Sequence, residues 1–217
     1  STGISDPVAI AIAMRDEFYS LGGKIEFKSK IKIQESQGEI FDSSNEFELK
    51  HLINAAGAQA DRISRSVGVG EDYAMVPFMG VYRAVSSDYL PLKRLVYPVP
   101  HPINPFLGVH FTLTLDGKVK IGPTAIPILG REQYSLFEGW SLSDIGQAIT
   151  ATRALIRGES HKFGEILKSE LPKLRESSLV RESALLVPEA ISIRKWQKKP
   201  PGIRSQLVDI KTGKLEQ

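Results

Sequence analysis

The sequence predicts an α+β fold, and three observations carry that prediction. Helical and strand-like patterns are segregated along the chain instead of alternating as βαβ units. Apolar residues alternate with period two in several short stretches. Pro- and Gly-rich turns, with a hairpin signal at Asp116-Gly117, separate the strand candidates of the central third. The 217 residues are 41% hydrophobic, enough for a packed core, and 24% charged, with charges interspersed in a way that argues against wholesale disorder.

Residues 6–21, DPVAIAIAMRDEFYSL, read as a helix in which Asp6 caps the free amides, Pro7 suits the first turn and Gly22-Gly23 ends it. The pieces KIEFKSKIKIQ, EIF, FEL and HLIN follow as strands of a small meander, with alternation at Ile25/Phe27 and Ile31/Ile33. An apolar strand then stops on Asn54-Ala55-Ala56-Gly57, residues with little or no bulk, and a short helix is expected over residues 58–67. From about residue 74, MVPFMGVYRAV, RLVYPV, FLGVHFTLTL and KVKIGPT predict four strands of an antiparallel sheet. Residues 142–157 are expected to be helical, with Ile145, Ile149 and Ile156 near one face and Gly158 as the stop. Two more helices are expected at 160–170 and 173–187, delimited by Pro172 and Pro188, and GIRSQLVDIKTGKLEQ returns to strand. This order predicts an α+β domain inserted between parts of another domain.

Composition narrows the function classes. Net charge is +3 and the isoelectric point about 9.0. The basic clusters KSKIKI and RKWQKK are short and read as solvated faces, so no nucleic-acid partner is expected. The absence of cysteine excludes disulfides, thiol chemistry and cysteine-ligated zinc. The four histidines (51, 101, 110 and 161) lack helical metal-ligand spacing, so no metal is expected. No apolar run approaches the roughly 20 residues of a transmembrane helix.

A buried strand that ends in small residues is what a sheet presents where a ligand lies over its carboxyl end. Ala55, Ala56 and Gly57 would let backbone approach a flat ring or a phosphate; a tight strand-to-helix turn with no ligand is the plain alternative. His110 on FLGVHFTLTL and Arg204 in PGIRSQ are, taken alone, a packed histidine and a surface charge.

The segments LINAAGAQADRIS, VPFMGVY, LVYPVPHPINPFLGVHFTLTLDGKVKIGPTA, GREQY, LVPE and PGIRSQLVD occur in the order found in L-2-hydroxyglutarate oxidases and dehydrogenases. The chain resembles that family of FAD enzymes, within the D-amino-acid oxidase superfamily, nearly end to end. The resemblance implies α/β architecture in the full enzyme. It divides the chain into a partial FAD-binding domain (1–72), a substrate-binding domain (73–198) and a return strand towards the FAD-binding domain (199–217). It implies FAD as cofactor, held near Asn54, Ala55, Ala56, Gly57, Gly202 and Ile203. Oxidation of a small-molecule 2-hydroxyacid follows, with oxygen or a quinone as electron acceptor.

The resemblance also gives roles. His110 would be the base that removes the hydroxyl proton, or else a cation for the substrate's carboxylate. Arg204 would clamp the α-carboxylate with its planar guanidinium. Tyr82 would lie near the substrate, and Arg131 in GREQY would meet the distal carboxylate. The chain departs from the family pattern in two places. Met79-Gly80-Val81-Tyr82-Arg83 stands where the family has Arg-Gly-Glu-Tyr-Tyr, and Pro123-Thr124-Ala125 where it has Pro-Asn-Ala. A Gly-x-Gly-x-x-Gly turn for the cofactor pyrophosphate is missing, since GVGEDY at 68–73 lacks the third glycine. The chain is therefore expected to be the middle of an enzyme, catalytically silent alone. An amino-acid or secondary-amine oxidase of the same superfamily, or a non-catalytic module, is the alternative.

Overall fold

The computed structural model describes residues 3–29, 33–36, 39–42, 51–99, 106–132, 134 and 141–216, with backbone only at 33–36, 39–42 and 159–162. Helix α1 (Pro7–Ser20) starts as expected: the Asp6 carboxylate accepts from the amides of Val8 at 2.9 Å and Ala9 at 3.2 Å. It buries none of its residues. Strands β1 (Ile33–Ser36) and β2 (Glu39–Asp42) form an antiparallel pair. The expected strand over 24–29 is instead a loop, with Phe27 exposed; the FEL piece lies outside the described residues.

HLIN is not a strand either. Residues 51–56 take no regular structure, and Ile53 is 89% exposed. A buried parallel strand needs a neighbour on each side, and among the described residues nothing pairs with this segment. The turn after it forms as expected, a single 3-10 turn over Gly57–Gln59 leading into α2 (Ala60–Ser66).

The main sheet is built on β3 (Tyr73–Ser86), with β4 (His110–Leu113), β5 (Lys118–Gly122), β6 (Ile126–Pro127) and β7 (Gln197–Asp209), all antiparallel. One edge of β3 is taken by β7 along nearly its whole length, and the other is shared by β5 and β6. Asp116-Gly117 turns β4 into β5 as predicted, with Gly117 at φ +70. RLVYPV contributes only a bridge from Val96 to Phe111. The returning strand begins earlier than expected, at Gln197, and Pro200-Pro201 carry an extra residue on β7 between the pairs Gly80↔Gly202 and Tyr82↔Lys199.

Alternation along β3 sends its side chains to two cores on opposite faces. Ala74, Val76 and Phe78 pack with Ala151, Ala154 and Leu155 of α3 (Leu142–Glu170). Val85, with Phe111, Val119 and Ile121, packs against Leu179 and Val180 of α4 (Glu176–Ser183) and against Trp196. Helix α3 runs through Gly158 without stopping. A Cβ there would sit 2.2 Å from the Thr212 carbonyl oxygen and 2.7 Å from Gly213 Cα, so the glycine serves close approach of helix and loop. The helix expected at 173–187 is shorter, since α4 is flanked by 3-10 turns at Leu171–Leu174 and Pro188–Ser192. Among the described residues no helix is long and apolar enough to cross a membrane.

Candidate active site

Beyond Phe78, the β3 face that α3 covers continues past the helix and stays open. Tyr82 projects there, because strand alternation sets it opposite to Val85, which packs in the core on the other side. Its ring lies among three glycines on three adjacent strands. A Cβ on Gly122 would come 2.8 Å from Tyr82 Cδ1, and one on Gly202 or Gly80 would touch Tyr82 Cε2 at 3.5 or 3.6 Å. Gly122, at φ +131, also has a backbone conformation only glycine adopts readily. Gly202, for which the resemblance implies cofactor contact, has the Tyr82 ring beside it at ordinary van der Waals distance.

Next to this ring is a cleft of about 170 Å³ between Phe78, Tyr82, Phe106, Gly202, Ile203, Arg204 and the loop 123–125. That loop is fixed from two sides. Thr124 Oγ1 accepts from Val81 N–H at 3.0 Å and donates to the Met79 carbonyl at 3.2 Å, bridging the gap between β5 and β6. Ala125 N–H donates to the buried Glu170 carboxylate at 2.9 Å, whose other oxygen takes Lys173 Nζ at 2.8 Å. Arg204 is exposed, with its guanidinium 5.5 Å from the Phe106 ring, and Phe106 in turn packs on Phe78 at 4.6 Å. No carboxylate pairs with Arg204 among the described residues.

His110 stands beside the cleft on the same sheet face. Phe111 is fully buried on the other face, and His110 is the register partner of Gly122, which the Tyr82 ring covers. The imidazole packs on Tyr97 with centroids 4.5 Å apart. Its Nδ1 is 2.9 Å from the Gly108 carbonyl oxygen, which can only accept, so Nδ1 carries the proton and Nε2 is left as the acceptor of the neutral ring. Partial burial pushes its pKa below the ordinary 6.5; the Gly108 contact opposes this and the Lys120 charge adds to it.

The structure places the other sequence-derived candidates elsewhere. Arg131 is 2% exposed and committed to both carboxylate oxygens of Asp61, to the Ala58 carbonyl and Gln147, and to Asp144 at 3.3 Å. This is a correction to the expected substrate contact: the guanidinium bolts α2 to the start of α3 and does not line the cleft. Burial raises the Asp61 pKa, but the hydrogen bond and charge of Arg131, with Arg65, hold it below the usual carboxylate value on balance.

Asn54 is a staple, its amide donating to the Ala60 carbonyl at 2.8 Å and to Ser64 Oγ at 3.1 Å. Ala55 and Gly57 are exposed and Ala56 half-buried, and the turn Gly57–Gln59 lies beside β7, the strand that carries Gly202 and Ile203. GVGEDY turns through Gly68 and Gly70, both at positive φ, straight into β3. It is no phosphate cradle, because no helix follows. The cleft's aromatic and glycine walls, with Arg204 as the one cation among the described residues, suit one face of a flat apolar heterocycle such as a flavin ring. They do not suit its pyrophosphate.

Lys120, Thr124 and Glu170 have roles here that the sequence does not announce. Lys120 could have been found, since KVKIG alternates and puts it on the His110 face. Thr124 and Glu170 could not, because their partners lie over forty positions away in the chain.

Residues 1–179 match the family described as FAD dependent oxidoreductase. The chain is similar to the L-2-hydroxyglutarate dehydrogenase of Salmonella houtenae, 31% identical over 216 residues, covering 96% of this chain and 50% of the relative. It is also similar to the mitochondrial L-2-hydroxyglutarate dehydrogenases of Caenorhabditis elegans (32% identical, 96% of this chain, 49% of the relative) and Homo sapiens (30%, 96% and 48%). The chain thus spans about half the length of the curated relatives it matches. With a family match over most of its length, and an antiparallel sheet whose open face gathers a tyrosine, an arginine and a histidine, the chain belongs to the FAD-dependent oxidoreductase family.

Proposed function

We propose that the protein to which this chain belongs oxidises L-2-hydroxyglutarate to 2-oxoglutarate. The observation that carries this reading is the state of His110. Oxidising an alcohol requires removal of the hydroxyl proton as hydride leaves the carbon, and a neutral imidazole with Nε2 free to accept is suited to it. A neutral amine substrate needs no such base. Among the described residues, Arg204 is a cation without a carboxylate partner, at the wall of a cleft with no other charged group in its lining. It would take the α-carboxylate as a bidentate pair and so fix which carbon faces the cofactor. Tyr82 would close the cleft between these two groups. Arg131 has no part in this reading.

The FAD ring, when bound, supplies the acceptor for the hydride. Asn54–Gly57 and Gly202-Ile203 would lie on its side of the cleft, within a division into residues 1–72 and 199–217 facing the cofactor and 73–198 facing the substrate. The relatives' names support the substrate, and oxygen or a quinone would be the final acceptor. Turnover by the full-length, FAD-loaded protein tests the reading: L-2-hydroxyglutarate should be oxidised, and glycine, sarcosine and D-amino acids should not. Oxidation of the amines alone would overturn it.

A further inference from the structure

Lys120 has no part in the roles given above. It alternates with Val119 and Ile121, both fully buried, and therefore stands on the open face with Tyr82 and His110. Its register partners are Ala84 on β3 and Thr112 on β4. The ammonium reaches back along the sheet, with Nζ 4.5 Å from the centroid of the Tyr82 ring. A cation parked on an aromatic face is held, but its charge is not neutralised. Several basic groups around the sheet and its helices are neutralised: Arg62, Arg83, Arg131, Lys118 and Lys173 each pair with a carboxylate. Among the described residues neither Lys120 nor Arg204 does. Lys199, opposite Tyr82 on β7, lies within reach of Asp116 at the far end of the face.

Around the cleft end of the open face, Arg204 and Lys120 are thus cations without a carboxylate partner among the described residues, with Tyr82 between them. Arg204 is in register with Phe78, and Lys120 reaches Tyr82, four residues further along β3. That step is about 13 Å at roughly 3.3 Å per residue. An extended five-carbon diacid, with a charge-assisted hydrogen bond of about 2.8 Å at each end, spans about the same length. His110 cannot serve the second carboxylate while it works as a neutral base.

We propose that Lys120 anchors the distal carboxylate of the substrate, and so selects dicarboxylic 2-hydroxyacids over monocarboxylic ones. The proposal rests on the reading of Arg204 and His110 above. It gives to Lys120 the role that the resemblance implies for Arg131. Tyr82 holds the ammonium in place before substrate arrives.

The test uses the full-length, FAD-loaded protein at about pH 8, where the His110 imidazole is neutral with or without the neighbouring ammonium. Lys120→Met keeps the apolar stem and removes the charge; Lys120→Arg keeps the charge. In Lys120→Met, KM for L-2-hydroxyglutarate should rise roughly 10- to 100-fold, the effect of losing one hydrogen bond to a charged group. In the same variant kcat/KM for L-2-hydroxybutyrate should stay within about twofold, and Lys120→Arg should retain the preference for the diacid. Equal losses on both acids, or none on either, would overturn the proposal. If the unmodified protein oxidises neither acid, the functional reading fails by itself and Lys120 is judged by calorimetric binding of glutarate against butyrate. A diacid preference lost in Lys120→Met supports the anchor, and its absence overturns it.

Discussion

An imidazole that donates from Nδ1 to a carbonyl can take a proton only at Nε2, and the 2.9 Å contact with Gly108 puts His110 in that state. Because its pKa lies below 6.5, the base form persists to lower pH than in a free histidine. Activity should therefore fall only as pH drops through that lowered value. The acid limb of the kcat/KM profile is expected below pH 6.5. His110→Gln should lower kcat by roughly 10²- to 10⁴-fold and remove that limb. A limb at or above the ordinary histidine value would show that another group titrates. Arg131 shows where residue-scale reading stops. Nothing in GREQY distinguishes an arginine that meets a substrate from one buried against Asp61, seventy positions earlier.

Among the elements, α1 was legible to the residue, since a cap, a first-turn proline and a terminal glycine pair are local chemistry. The hairpin at Asp116-Gly117 was legible for the same reason. Helix α3 was misdivided. A glycine inside a helical pattern reads as a stop, yet Gly158 is where the helix backbone touches the loop at Thr212-Gly213. Gly164, in the same helix, faces open space. The two should respond oppositely to alanine. Gly158→Ala should destabilise the protein by about 1–3 kcal/mol through overpacking, and Gly164→Ala should stabilise it by about 0.5–1 kcal/mol through helix propensity. Thermal melts of both variants check this; equal effects would mean that Gly158 is not a packing contact.

At the scale of the molecule, exposed apolar side chains are the main feature among the described residues. Helix α1 exposes Val8, Ile10, Met14 and Phe18, and Ile53 stands almost fully in solvent. An apolar surface of this kind marks a contact site. The isolated 217-residue chain should self-associate with rising concentration and show no visible flavin absorbance, because its sequence holds no Gly-x-Gly-x-x-Gly turn. Sedimentation velocity and an absorbance spectrum check both. A monodisperse monomer, or stoichiometric bound FAD, would overturn the respective expectation.

By itself, the sequence determined the α+β class, the antiparallel sheet and the family, because turns, caps and alternation are properties of neighbouring residues and the segment order persists through divergence. Only the tertiary structure decided which charges are neutralised. Arg131 and Arg204 are alike in sequence, and the fold gives one a buried carboxylate while leaving the other at an open cleft, with Lys120 over the Tyr82 ring beside it. Charge pairing depends on distances across strands and helices, and residues far apart in the chain set those distances.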